Sequence, residues 1–184
     1  KIERRCIKTF MESEAALLRV AVDTNVLLSG TIWPRWPHAI LQHALHGDFR
    51  LVLPQVVILE ARRNVQRRFP KFLDNFELFL SLTNYELVPA PSLEAMHSAQ
   101  ALMRQVEDIP VALSVIAAKV DYFITLDKDF TDQHPSTQQV RSAIPNILLP
   151  AVFLRDVMKW SSEQLEAIRY RTWSDLADTV ASKD

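Results

Sequence analysis

The stretch Asp121-Tyr122-Phe123-Ile124-Thr125-Leu126-Asp127-Lys128-Asp129-Phe130 joins a short apolar run to a pair of acids. Its first half, 121–125, has the length and the aromatic and β-branched content of a buried strand. A second run, Arg19-Val20-Ala21-Val22-Asp23, has the same form and also ends in an acid. Continuous apolar strands are typical of parallel sheets that are covered on both faces, so the two runs together predict an α/β protein.

Helical and strand patterns alternate around these two runs. Further strands are predicted at 50–53, 85–88 and 146–149. Helices are predicted at 38–46, 56–68, 70–82, 93–106, 110–119 and 150–160. Ser161 and Gln164 resemble a capping box that opens a last helix towards Val180. This order predicts a three-layer α/β/α fold with a central, mainly parallel sheet of about five strands.

The chain shows no internal repeat, low-complexity tract or linker that would divide this pattern. We expect residues 1–18 to be a polar leader segment, residues 19–160 to form one domain, and residues 161–184 to add a helix that packs on the domain or on a partner. No stretch has the roughly 18 consecutive apolar residues of a membrane span, and no secretory signal pattern is present. These features predict a cytoplasmic protein without membrane association.

Composition excludes several classes of protein. The formal net charge of −1 and the pI near 6.6 disfavour bulk electrostatic coating of nucleic acid, although a local basic patch is compatible with them. Only two glycines occur, so neither a P-loop nor a dinucleotide-binding fingerprint can be built. The single cysteine, Cys6, allows no internal disulfide, and no zinc spacing links it to the histidines.

Four acids are candidates for one site. Asp23 and Asp127 follow predicted strands, where ligands bind in open α/β sheets, and they face one crevice if those strands are neighbours. Glu60 lies early in the helix after the second strand, and Asp108 lies at the start of the helix before the fourth. Several carboxylates without histidine or cysteine suit Mg²⁺ or Mn²⁺, and such a site favours phosphodiester hydrolysis.

Each acid taken alone has a second interpretation. Asp23 or Asp108 can cap a helix, because aspartate accepts hydrogen bonds from the free N–H groups of a first turn. Glu60 can be an exposed helical residue paired with Arg63 or Asn64. Asp127 and its neighbour Asp129 can simply solvate a turn.

The constellation as a whole resembles the PIN-domain ribonuclease family, including VapC-like toxins. The resemblance covers about 19–157 and rests on Val22-Asp23-Thr24-Asn25-Val26-Leu27-Leu28-Ser29, on Glu60 and Asp108, and on the block from Ile116 to Phe130. It implies that the acidic quartet binds metal and is catalytic, with three polar residues orienting it and one further acid as a possible metal ligand. The quartet is Asp23, Glu60, Asp108 and Asp127; the polar residues are Thr24, Asn25 and Thr125; the further acid is Asp129.

RNA is the substrate class that this resemblance implies. Independently, Arg63, Asn64 and Arg67 share the helical face of Glu60 and are placed to grip phosphates, although a basic run is equally compatible with a solvated surface. Trp33 and Trp36 either stack on unpaired bases or pack against the protein or a partner.

The leading hypothesis is a Mg²⁺- or Mn²⁺-dependent endoribonuclease that acts as the toxin of a toxin-antitoxin pair. An antitoxin partner and a homodimer are expectations from the resemblance alone. The first alternative is a non-catalytic RNA- or protein-binding PIN module. A phosphatase that uses Asp127 and Asp129 as its D-x-D pair is a weaker alternative, because it gives Glu60 no role.

Overall fold

A computed structural model describes residues 17–99, 105–131 and 138–176. Most of the predicted leader, 1–18, lies outside these ranges. So do residues 100–104 of the predicted helix 93–106 and the far end of the predicted last helix, including Val180.

A five-stranded sheet with strand order β3-β2-β1-β4-β5 forms the centre of the molecule, and every neighbouring pair is parallel. The strands are β1 Arg19–Val22, β2 Arg50–Pro54, β3 Tyr85–Val88, β4 Tyr122–Ile124 and β5 Ile147–Leu148. The helices are α1 Thr24–Ile32, α2 Trp36–His46, α3 Gln55–Arg68, α4 Leu73–Leu82, α5 Leu93–Ser98, α6 Ile109–Ala118, α7 Lys128–Thr131, α8 Gln138–Ala143, α9 Pro150–Asp156 and α10 Ser162–Ile168, with 3₁₀ turns at Pro70–Phe72 and Val106–Asp108. The predicted α/β/α class and mainly parallel sheet are confirmed.

The first strand lies in the middle of the sheet. Val20, Ala21 and Val22 are fully buried, which explains why this run is apolar on both faces. The chain builds outward from β1 through β2 to β3 and then returns to the other side of β1 for β4. The direction of winding therefore reverses between β1 and β4, and a crevice opens beyond their carboxyl ends.

The structure corrects the prediction for the segment after β1. We predicted no helix between the first strand and residue 38, but α1 begins directly at Thr24 and α2 begins at Trp36. Because α1 is buried on most of its surface, its sequence has no clear polar face, and Asp23-Thr24-Asn25 with Gly30 is typical of a loop. Pro37 occupies the first turn of α2, where a proline is tolerated.

Other helices are shorter than predicted. The helix predicted at 150–160 ends at Asp156, and Lys159 then adopts a left-handed backbone. The predicted capping box of Ser161 and Gln164 is confirmed, but its helix α10 ends at Ile168, and a separate turn of helix covers 173–176. The prediction of one continuous helix at 93–106 is wrong. Helix α5 ends at Ser98, and Val106 belongs to a 3₁₀ turn.

Side-chain hydrogen bonds fasten the C-terminal part to the α1–α2 region. Trp173 donates to the carbonyl of Ile32 at 2.6 Å, and Trp36 donates to the carbonyl of Leu165 at 2.8 Å. These indole donors satisfy carbonyls at the ends of helices, which have no partner within their own helix. Among the described residues, no helix has both the length and the apolar character needed to cross a membrane.

Helices α1 and α2 approach closely at Gly30. A Cβ atom there would lie 2.6 Å from Leu41 Cδ1 and 2.9 Å from the backbone oxygen of Pro37. Both distances are below van der Waals contact, and the carbonyl cannot move without shifting α2.

We predict that Gly30→Ala destabilises the protein although alanine is the better helix former. Overpacking should cost about 1–3 kcal/mol and exceed the propensity gain of roughly 1 kcal/mol. Thermal unfolding followed by circular dichroism measures the net effect. Ser29→Ala, on the adjoining position of the same helix, should leave the melting temperature nearly unchanged. A higher melting temperature for Gly30→Ala would contradict the close packing.

Candidate active site

A small cavity lies beyond the carboxyl ends of β1 and β4. All four predicted acids line it, although they come from four different segments of the chain. Thr24 and Asn25 also line it, together with the apolar side chains of Val111 and Phe130. The cavity volume is about 80 Å³. The crevice at the reversal of the sheet is therefore an acidic pocket with one apolar wall.

Asp23 is buried at the junction of β1 and α1. Its Oδ1 accepts a hydrogen bond from Val26 N at 2.6 Å, which makes Asp23 the N-cap of α1. Its Oδ2 accepts hydrogen bonds from the Thr125 hydroxyl and from Leu126 N. The capping interpretation and the site interpretation of Asp23 are thus compatible, because one carboxylate caps the helix and lines the cavity.

Thr125 connects Asp23 to Asp127. Its fully buried hydroxyl donates to Asp23 and accepts from the backbone N–H of Asp127 at 2.9 Å. Asp127 Oδ1 in turn accepts from Asp129 N at 2.8 Å. The loop after β4 is therefore held against Asp23, which fixes the position of the second acid relative to the first.

Glu60 lies on the exposed face of α3, one and a half turns from its start. Its Oε2 accepts a hydrogen bond from the Thr24 hydroxyl at 2.7 Å. No hydrogen bond or ion pair with the neighbouring Arg63 or Asn64 occurs among the described contacts. Thr24 thus ties the acid of α3 to the first turn of α1.

Asp108 does not cap α6. It occupies the N-cap position, but its side chain makes no capping bond, and within the described chain its buried Oδ2 has no hydrogen-bond partner. The pKa of this carboxyl is raised to about 6, chiefly by burial and also by the negative charges of Asp127, Asp129, Glu107 and Glu60. An unpaired buried carboxylate oxygen in a cavity of acids is a candidate to accept a hydrogen bond from a ligand or to contact a cation.

The pKa of Asp23 is raised as well. Burial lifts it from 3.8 to about 6, against the opposing effect of the three hydrogen bonds that the carboxylate accepts; Asp127 contributes a smaller repulsion. Two carboxyl groups that resist ionisation in one pocket are typical of functional sites.

The donor set fits a hard divalent cation by its chemistry. Carboxylate and hydroxyl oxygens line the cavity, and neither histidine nor cysteine is present in it. As placed in the described parts of the chain, however, no three His, Cys, Asp or Glu side chains form a group that could hold a metal ion. Coordination of an ion would therefore require side-chain rotation, and the carboxylates of Asp108 and Glu60 are each held by at most one described hydrogen bond.

The two remaining acids near the cavity differ from the sequence prediction. Asp129, predicted as a further metal ligand, does not line the cavity; its Oδ2 accepts a hydrogen bond from Gln105 Nε2 at 2.6 Å. Glu107 does line it and was not predicted. The sequence analysis identified the right segment through Asp108, but no periodicity in the sequence indicates that the adjoining Glu107 lines the cavity as well.

The predicted basic face is only partly available. Arg62 forms a two-pronged ion pair with Glu77 and lies over the ring of Phe76, so it has a structural role. Arg63 and Arg67 are exposed and make no hydrogen bond or ion pair within the described residues. Two guanidinium groups therefore remain free to bind anions on the helix that carries Glu60.

Sequence comparison finds no match to a family model and none among curated proteins. Solved structures do match. PAE2754 from Pyrobaculum aerophilum superposes with a TM-score of 0.52 at 11% identity, covering 78% of this chain and 97% of that one. VapBC2 from Rickettsia felis, bound to a DNA fragment from its promoter, gives a TM-score of 0.52 at 13% identity, covering 72% of this chain and 98% of the other.

The chain has a three-layer α/β/α fold like that of these two solved structures. Within that class, the similarity is to a VapC-like fold, which confirms the resemblance predicted from the sequence.

We predict that, in EDTA, the free energy of unfolding falls as pH rises from about 4 to about 6. The raised pKa values of Asp23 and Asp108 mean that the folded state binds more protons than the unfolded chain in this window. Asp108→Asn removes one of the repelling charges. It should raise the melting temperature at pH 7.5 by ~2–4 °C, for a gain of about 1 kcal/mol discounted for solvent screening.

The gain should be much smaller near pH 4, where Asp108 is protonated in the folded state and about half protonated in the unfolded chain. Glu94→Gln, an exposed acid outside the cavity, serves as the control and should show no pH-dependent gain. An equal gain at pH 4 and pH 7.5 would show that charge repulsion in the cavity is not its cause.

Proposed function

We propose that this protein is a divalent-metal-dependent endoribonuclease that hydrolyses RNA phosphodiester bonds, and that it acts as the toxin of a toxin-antitoxin pair. The observation that carries the proposal is the convergence of Asp23, Glu60, Asp108 and Asp127 on one cavity at the reversal of the sheet. Hydrolysis of a phosphodiester needs a means of activating water and of neutralising phosphate charge, and a carboxylate cluster provides both by holding Mg²⁺ or Mn²⁺.

Each of the four acids has a defined part in this proposal. Asp23 and Asp127 supply oxygens that are fixed by hydrogen bonds, whereas Oδ2 of Asp108 and Oε1 of Glu60 accept no hydrogen bond from the described residues and would be available to a cation. A bound divalent ion supplies Lewis acidity, which lowers the pKa of water and stabilises negative charge on the scissile phosphate. Thr125 and Thr24 position Asp23 and Glu60 through their hydroxyls.

The substrate side of the proposal rests on α3. Arg63 and Arg67 lie three and seven residues after Glu60, so the three side chains share one face of the helix. With Asn64 they offer donors to the phosphates that flank the cleaved bond. An RNA strand bound there has its backbone next to the acids.

An antitoxin partner and a homodimer complete the proposal. Support for the antitoxin comes from the fold similarity to VapBC2, whose structure contains a DNA fragment from its promoter. Repression of this chain's toxicity by the product of a neighbouring gene is the corresponding observation to seek.

We predict that the purified protein cleaves single-stranded RNA in the presence of Mn²⁺ or Mg²⁺ and that EDTA abolishes cleavage. Asp127→Asn should lower kcat at least about 100-fold, because removal of a charged metal ligand weakens both metal binding and charge stabilisation. Glu94→Gln should cleave like the wild type. Cleavage that persists in EDTA and in Asp127→Asn would contradict the proposal.

A second prediction concerns metal binding in the absence of RNA. If the dissociation constant for Mn²⁺ is about 0.1 mM, 10 mM Mn²⁺ should stabilise the fold by ~2.7 kcal/mol and raise the melting temperature by several degrees. The rise is measured for each protein relative to its own melting temperature without metal. It should be smaller in Asp23→Asn than in the wild type. An identical rise in both proteins would place the bound ion elsewhere.

The non-catalytic RNA- or protein-binding module is the second candidate. Its support is the absence, in the described part of the chain, of a preassembled group of three metal-binding side chains. Calorimetric titration with Mn²⁺ separates the two candidates, because a module with vestigial acids takes up no ion at the cavity.

A further inference from the structure

Two neighbouring lines of surface residues extend away from the acidic cavity, one on α1 and the other on α3. On α1, whose other residues are buried, Asn25 is exposed, Ser29 is half-buried, and Trp33 follows at the C-cap, so the three recur every four residues along one face. On α3, Arg63 and Arg67 continue the face that begins at Glu60. Asn25 is itself part of the cavity lining.

The two lines are joined at both ends. At the cavity the Thr24 hydroxyl donates to Glu60 at 2.7 Å, and at the far end the rings of Trp33 and Phe69 meet edge to face with centroids 5.6 Å apart. Both spans, 24–33 and 60–69, cover nine residue-to-residue steps, and α1 packs along α3 between their ends. At ~1.5 Å per helical residue, the distance covered is about 13 Å.

The structure gives different roles to Trp33 and Trp36, for which the sequence analysis left the same two interpretations open. Trp36 is half-buried, and its indole N–H donates to the carbonyl of Leu165, so it packs within the protein. Trp33 is 39% exposed, and its indole N–H has no partner within the described residues. The edge contact with Phe69 holds the ring of Trp33 in place while leaving part of it open to solvent.

We propose that this strip, formed by Asn25, Ser29, Trp33, Arg63, Arg67 and Phe69, is a track for single-stranded RNA that ends in a base-stacking subsite at Trp33. This inference rests on the proposed function and adds the strandedness of the substrate and the direction in which it leaves the cavity. The two guanidinium groups bind successive phosphates, Asn25 and Ser29 offer hydrogen bonds beside them, and Trp33 stacks on a base several nucleotides from the acids. A duplex, whose bases are already paired and stacked, cannot use that last subsite.

Binding is measured by fluorescence anisotropy of a labelled, unstructured 12-nucleotide RNA with Asp127→Asn in Mg²⁺, so that the RNA stays intact. Adding Trp33→Ala to this background should raise Kd about 5- to 150-fold, the range for loss of one base–aromatic stack. Trp33→Phe should recover most of the affinity. A duplex of the same length should compete much more weakly than the single strand.

Arg63→Ala and Arg67→Ala test the track without touching the packed aromatic pair. Each should reduce the slope of log Kd against log salt concentration by about 0.7, the value for one phosphate contact on a single strand. Arg155→Ala, a basic residue of α9 paired with Asp156, is the matched control and should leave the slope unchanged.

The track is overturned if folded Trp33→Ala binds the single strand as well as its parent does, if the duplex competes equally well, or if neither arginine changes the salt slope. This failure differs from failure of the proposed function. A protein that cleaves RNA with unaltered KM in the Trp33 and Arg67 variants is a nuclease without this track. A protein that cleaves no RNA but loses affinity in those variants has the track and lacks the catalysis.

Discussion

The buried carboxylate of Asp23 is the point from which the rest of the site is organised. It caps α1 through Val26 N, and it accepts hydrogen bonds from Thr125 and Leu126 at the end of β4. One side chain therefore sets the start of the helix that carries Thr24 and Asn25 and holds the loop that carries Asp127. Because β1 and β4 are neighbours at the reversal of the sheet, this junction coincides with the crevice where α/β folds bind ligands.

This arrangement is unfavourable for the protein without a cation. Asp23 loses solvation on burial, and Asp108 has a buried oxygen without a partner among the described residues, so both carboxyl groups resist ionisation. The apolar wall of Val111 and Phe130 increases that cost by excluding water. The divalent ion of the proposed function would offset the repulsion, and a cluster of carboxyl groups that costs stability is consistent with a site selected for function at the expense of stability.

The strands were predictable from local signals, and the convergence of the four acids on one cavity was predictable from the family resemblance. An apolar run that ends in aspartate identifies β1, and the order of acids matches a known family pattern. Helix α1 was missed because a helix buried on most sides carries no amphipathic period. The orientation of Glu107 and the partners of Asp129 and Arg62 depend on contacts between segments far apart in sequence, and no local pattern encodes them. The roles of Trp33 and Trp36 also depend on such contacts, because only the packing of the two rings shows which one is exposed.

The central claim is that the four carboxylates form one divalent-metal site. Anomalous diffraction from crystals grown with Mn²⁺ tests it most directly, because the ion is located independently of any activity. The account predicts a peak in the cavity about 2.1–2.3 Å from oxygens of Asp23 and Asp127, with Glu60 or Asp108 turned towards it. A cavity without a peak at saturating Mn²⁺, or a peak only elsewhere on the surface, would contradict it.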